Sequence, residues 1–109
     1  MVKDILTAAG VEHAQGRFIR MPAGTHAVYF DDIEVETADP VASEGMPRIY
    51  HHNVTIEVYE PTPDDATETA IEAELNSRAL PWTKEDRYWL KDLQRYQVIY
   101  EFSYTSKSK

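Results

Sequence analysis

Two stretches of this chain alternate apolar and polar residues with a period of two, a pattern that suits a β-strand buried on one face. Between Tyr50 and Tyr59, the side chains of His52, Val54, Ile56 and Val58 fall on one side. His51, Asn53, Thr55, Glu57 and Tyr59 fall on the other. Near the C-terminus, Tyr96, Val98, Tyr100, Phe102 and Tyr104 repeat the pattern. A helix turns about 100° per residue and would scatter these positions around its axis. The chain must therefore bury at least one sheet face against something else.

The remaining segments supply the cover. Val2, Ile5, Leu6 and Ala9 recur at helical spacing, and Gly10 is placed to end a short helix. Gly16, Pro22 and Gly24 punctuate a turn-rich stretch, which takes in His13, with His26 at its end. His26 to Thr37 reads as extended, with a bend or bulge expected at Asp31-Asp32. Thr37 to Pro47 holds Asp39-Pro40, Ser43, Gly45 and Pro47 and is expected to be a flexible loop. A second helix is expected from Thr62 to Ala79, with Thr62 as cap, Pro63 at the first helical position and Asp64-Asp65 at the positive end of the dipole. Pro81 stops it, Trp82 to Leu90 reads as extended, and residues 105–109 are expected to fray. The order is α-β-β-(β)-α-β-β. That order predicts an α+β fold, with a single antiparallel or mixed sheet and two helices packed on one face, as one domain over residues 1–109.

Charge narrows the functional classes. Thirteen acids between Asp31 and Glu74 face one base, Arg48, so this block carries −12 and the rest of the chain +4 of the net −8. A protein that binds nucleic acid without regard to sequence needs Lys and Arg to displace counterions, and this balance argues against one. With no cysteine, disulfides, thiolate metal sites and cysteine catalysis are excluded. No apolar run is long enough to span a membrane, and the opening MVKDILTAAG lacks the apolar core of a secretory signal. The uneven charge suggests either a solvated acidic face or a polar subunit whose acidic side meets a basic side of its neighbour.

The chemistry-bearing residues form no recognisable constellation. His51 and His52 are adjacent on a strand and point to opposite faces, so they cannot chelate one ion together. GxGxxG, GxxxxGK and GxSxG are absent, which leaves phosphate cradles and nucleophile elbows unsupported. Asp31-Asp32 and Asp64-Asp65 suit turns and caps on local grounds. No enzymatic activity, metal or cofactor is expected. Trp82, Tyr88 and Trp89 interleave with Lys84, Arg87 and Lys91, a composition that protein interfaces favour.

Three stretches carry a resemblance. They are Ile49-Tyr50-His51-His52-Asn53-Val54-Thr55-Ile56-Glu57-Val58-Tyr59, the capped polar helix Thr62 to Ala79, and the run from Arg87-Tyr88-Trp89-Leu90 through Arg95-Tyr96-Gln97-Val98 to Phe102. Together they resemble the tail-terminator, or tail-completion, proteins of long-tailed bacteriophages and prophages. The resemblance implies a structural virion protein, put together in the host bacterial cytoplasm and located at the head-proximal end of the tail. It implies a homo-oligomeric ring, commonly hexameric, that halts tail-tube polymerisation and joins tail to head. Its partners would be itself, the tail tube protein and the head-to-tail connector proteins, with DNA passing through the lumen unbound.

On that reading the candidate contact residues are Thr37, Asp39 and Glu44 of the loop, then Arg48, the acidic helix face Glu68 and Glu72, and the basic aromatic stretch Trp82, Lys84, Arg87, Trp89 and Lys91. Glu34, Glu36, Glu57 and Glu60 are candidate lumen acids, since an acidic bore repels phosphate and lets DNA slide. Three alternatives stand beside it. One is a head-to-tail connector (adaptor or stopper). Another is a small module whose Thr37–Pro47 loop docks a host protein. The third is a small α+β enzyme using a sheet-face carboxylate or His52.

Overall fold

Residues 1–36 and 48–107 are described by the structure, a computed structural model. The elements run α1 (Val2–Ala8), β1 (Glu12–Gln15), β2 (His26–Val35), β3 (Ile49–Glu60), α2 (Asp65–Ser77), β4 (Trp82–Lys84), β5 (Tyr88–Leu90) and β6 (Arg95–Lys107). The six strands form one sheet in the order β1-β2-β3-β6-β4, with β5 also paired to β6. All pairings are antiparallel except β1 with β2. The fold is thus α+β on a mixed sheet, as the element order implied.

The two alternating stretches are its central pair. Val54, Ile56 and Val58 of β3 stand opposite Phe102, Tyr100 and Val98 of β6, and all six are buried. Val2, Ile5 and Leu6 of α1 and Ile71 and Leu75 of α2 join them in one core. Both helices therefore cover the same face. A fully buried side chain of this kind contributes roughly 1.5–3 kcal/mol over its exposed state, so most of the stability sits in this layer.

Both helices end in the same way. The N–H of Gly10 bonds the carbonyl of Thr7 at 3.1 Å and that of Val11 bonds Leu6 at 3.0 Å. After α2, Ala79 bonds Asn76 at 3.0 Å and Leu80 bonds Leu75 at 3.1 Å. These paired bonds define a Schellman motif, which needs a left-handed residue after the cap. Gly10 supplies it at φ 75°, but at α2 the residue is Ala79 at φ 55°. The apolar contact that accompanies the motif is present in both, because Leu6, Val11 and Leu75 lie in the core with Leu80 packed against it.

Several boundaries differ from the sequence expectation. Helix α2 is capped by Asp64, whose carboxylate accepts from the N–H of Thr67 at 3.0 Å, rather than by Thr62. Thr25, 39 positions away, donates to the same carboxylate at 2.7 Å and selects it. Asp31 and Asp32 form no bulge: the β2–β3 register continues unbroken through both. Glu12–Gln15, expected as turn, is an edge strand, and Thr105–Lys107 continue β6 instead of fraying.

Candidate functional site

The end of β3, the start of α2 and the β4–β5 connection converge on one charge cluster. Glu60, the last residue of β3, has no exposed surface, and Glu68 of α2 is 4% exposed. Arg87 Nε donates to Glu60 Oε1 at 3.2 Å, while Nη2 donates to Asp65 Oδ1 at 2.7 Å and to Glu68 Oε2. Lys84 Nζ reaches Glu68 Oε1 at 2.9 Å and Glu72 Oε2 at 2.8 Å. The hydroxyl of the fully buried Tyr100 donates to that same Glu72 oxygen at 2.6 Å. Four acids thus close around two bases.

The two innermost carboxyls behave differently. Burial pushes the Glu60 carboxyl up to about 8, and the hydrogen-bonded, negatively charged Glu68 beside it reinforces the shift. Burial also presses Glu68 upward, but hydrogen bonds from Glu60, Arg87 and Lys84 outweigh it and hold Glu68 below the usual carboxylate range. Glu60 is therefore the partner that keeps a proton.

This geometry removes Glu68 from the candidate interface and Glu60 from the candidate lumen. Glu68, Glu72, Lys84 and Arg87 find their opposite charges within one chain, and Glu68 is too buried to present a surface. Glu60 cannot line an open lumen, because it is sealed under Arg87. The other candidates sit further out. Trp82 is half-buried, donating from Nε1 to Asn76 at 2.8 Å and meeting the Tyr100 ring edge-on. Trp89 is 44% exposed and packs edge-on against Tyr96. Lys91 lies exposed in the turn after β5, and Arg48 lies exposed just before β3. Thr37, Asp39 and Glu44, with the rest of the expected 37–47 loop, lie outside the described residues.

The face of the sheet without helices carries four further acids. Register places Asp32 and Glu34 of β2, Glu57 of β3 and Glu101 of β6 on it. Glu57 accepts from the Tyr59 hydroxyl at 2.9 Å, and burial with that contact raises the Tyr59 phenol to about 12. Glu36 follows β2 and lies 3.7 Å from His51. At one end of this face the 16–24 segment folds over His26 and Val28, leaving a cavity of about 190 Å³. Towards the middle, Asp32, Asn53, Thr55, Thr83, Glu101 and Ser103 line a polar hollow of about 410 Å³.

Beyond the reach of the helices, β2, β3 and β6 continue as a three-stranded wing. His52 lies there on the helix-side face. It donates from Nδ1 to both oxygens of Asp31 at 3.0 Å, its Nε2 is 2.7 Å from Ser106 Oγ, and its ring stacks on Tyr104 at 4.2 Å. Both cavities open on the other face of the sheet, away from this Asp-His-Ser chain. Sequence reasoning missed the cluster, since its members lie 21 and 54 positions apart. It also missed the wing's exposed apolar residues, Phe30, Ile33 and Val35. The signal was present in the continued alternation of Ile33 and Val35 with acids, past the point where any helix covers them.

No protein-family model matches the sequence, and no curated protein matches it. Solved structures do match. One is a chain of the virion of a native gene transfer agent particle, with a TM-score of 0.56 at 16% identity, covering 95% of this chain and 84% of that chain. Another solved chain aligns at a TM-score of 0.61 and 12% identity, over 98% of this chain and 86% of its own. At these identities the likeness is one of fold. Among the described residues, no helix is long and apolar enough to cross a membrane.

Proposed function

We propose that this protein is a structural subunit of a phage-like virion that forms a ring at the head-proximal end of the tail. The ring terminates the tail tube and joins it to the head, without enzymatic activity. The observation that carries this reading is the fold shared with a virion chain of a gene transfer agent particle over nearly the whole length. The sequence resemblance to tail terminators, centred on β3, α2 and β6, points the same way. The charge layout supports it: Asp32, Glu34, Glu57 and Glu101 share the helix-free face, and a bore lined by that face would repel phosphate. The helices would then lie on the outside of the ring.

Deletion of the gene followed by electron microscopy of the lysate tests the reading. Unjoined filled heads beside free or overlong tails are expected. Joined, infectious particles would overturn it, and heads that leak DNA while tails keep normal length would move the role to the connector.

A further inference from the structure

The wing has two open edges. Strand β1 pairs with β2 only as far as Tyr29, and β4 and β5 pair with β6 only as far as Phe102. Past those points, among the described residues, no strand lies on the side of Phe30–Val35 or of Ser103–Lys107 that faces away from β3. The direction of the backbone groups follows from the bonds nearby. Gly16 N–H donates to the Tyr29 carbonyl and Glu36 N–H donates to the Ile49 carbonyl, so Asp31, Ile33 and Val35 turn their N–H and C=O away from β3. Glu85 N–H donates to the Ile99 carbonyl, so Ser103, Thr105 and Lys107 turn theirs away from β3 on the far side.

Open edges of this length normally carry protection such as a proline, a bulge or an inward charge, because unpaired backbone invites another strand. Here the β2 edge has neither proline nor bulge, and beside its acids it bears Phe30, Ile33 and Val35, which are 41%, 54% and 47% exposed. The edges also differ in charge. Asp31, Asp32, Glu34 and Glu36 crowd the β2 edge, whereas Ser103–Lys107 contains one charged residue, Lys107, followed in sequence by Lys109.

We propose that the occupant of each edge is a second copy of this chain: Asp31–Val35 of one subunit pairs with Ser103–Lys107 of the next. This deepens the ring reading and rests on it. Strands β2 and β6 both run antiparallel to β3, so they run parallel to each other. Subunits repeated head to tail around an axis therefore join through a parallel β2–β6 ladder. A twofold dimer would instead pair β2 with β2 antiparallel. Within a subunit, Ile33 is level with Tyr104 and Glu34 with Thr105 across β3. The junction continues those levels, setting Ile33 against Tyr104 on the outside and the β2 acids near Lys107 on the bore side.

The chain has no cysteine, so introduced thiols report without background. The test mixes Glu34→Cys with Thr105→Cys, repeats the mixture with Lys107→Cys to cover a two-residue stagger, and oxidises at low salt and millimolar protein. Disulfide dimers in the mixtures but not in either variant alone are expected, and the doubly substituted chain should give a ladder ending at a closed ring. Ile33→Pro removes one outward N–H while sparing the bonds to β3, so it should keep the monomer's circular dichroism and melting and lose at least tenfold in association. Cross-linking of Glu34→Cys with itself would overturn the parallel junction. Rings by light scattering that no thiol pair traps, or that survive Ile33→Pro, would overturn the edge pairing and leave the ring reading standing. A chain that stays monomeric under these conditions would overturn both.

Discussion

Arg87 lies across Glu60, with Nε 3.2 Å from a carboxylate oxygen that has no access to solvent. The two are 27 positions apart, and their contact ties the β4–β5 connection to the end of β3. Asp65 and Glu68 complete the guanidinium's partners from α2, so one side chain links three elements. The basic aromatic stretch therefore serves the fold of the subunit before it serves any partner.

Arg87→Met keeps the aliphatic stem and removes the charge. Glu68 would keep Lys84 as its cation, while the protonated Glu60 would lose the donor at Oε1, a buried loss of about 1–3 kcal/mol. Urea unfolding should show that loss in dilute monomer. Lys91→Glu, at an exposed turn position, should stay within about 0.5 kcal/mol of the parent.

Stability should fall between mildly acidic and mildly alkaline pH. In the unfolded chain Glu60 ionises in the ordinary carboxylate range, whereas in the folded protein burial keeps it protonated up to about 8. Across that window the folded state holds a proton that the unfolded state has lost, so each step up in pH favours unfolding. Glu60→Gln mimics the protonated form, and its melting temperature should be flat over the same window. A parent protein equally flat between pH 5 and 8.5 would remove the proton from Glu60.

The acid limb should follow Asp64. Hydrogen bonds from Thr25 and from Thr67 hold its carboxyl below the usual range. A depressed acid contributes stability above its unfolded value and loses it as the pH drops through its folded one. Asp64→Ala should cost about 1–2 kcal/mol at neutral pH through loss of the cap, with the deficit shrinking below pH 3. Chemical denaturation at pH 7 and pH 2.5 makes the comparison.

Ala79 and Gln94, among the described residues, hold left-handed backbone without being glycine, and Ala79 does so at a helix end. Its φ of 55° places Cβ against the carbonyl, while the Schellman bonds and the packing of Leu80 hold it there. Ala79→Gly should raise stability by about 0.5–1 kcal/mol, less than the full left-handed penalty because glycine also gains freedom in the unfolded chain. The space after Gly10, where glycine is already present, shows the unstrained form of the same cap.

Much of the fold was legible because its strongest signals are local. Alternation over β3 and β6 depends only on neighbouring residues, and Gly10 marks its helix end by the same logic. Strand β1 was not legible: Glu12–Gln15 is short, polar and held by a parallel pairing to β2 that no local pattern encodes. The Asp31-Asp32 pair read as a bulge because two adjacent acids suit a turn, yet His52 gives Asp31 a partner within the strand. Thr62 and Asp64 are both good caps, and Thr25 decides between them.

The candidate site was legible only in its ingredients. The acids of α2 and the bases at Lys84 and Arg87 were identified as charges seeking partners, but β4 docks on β6 beneath α2 and lets them meet inside one chain. From residue order alone came the long strands β2, β3 and β6, both helices and the −12 block, because each arises from patterns among near neighbours. Tertiary structure alone decided which acids are buried, which face is left bare and where the sheet's edges stay open. Those outcomes depend on groups brought together from distant positions, where desolvation and pairing outweigh local preference.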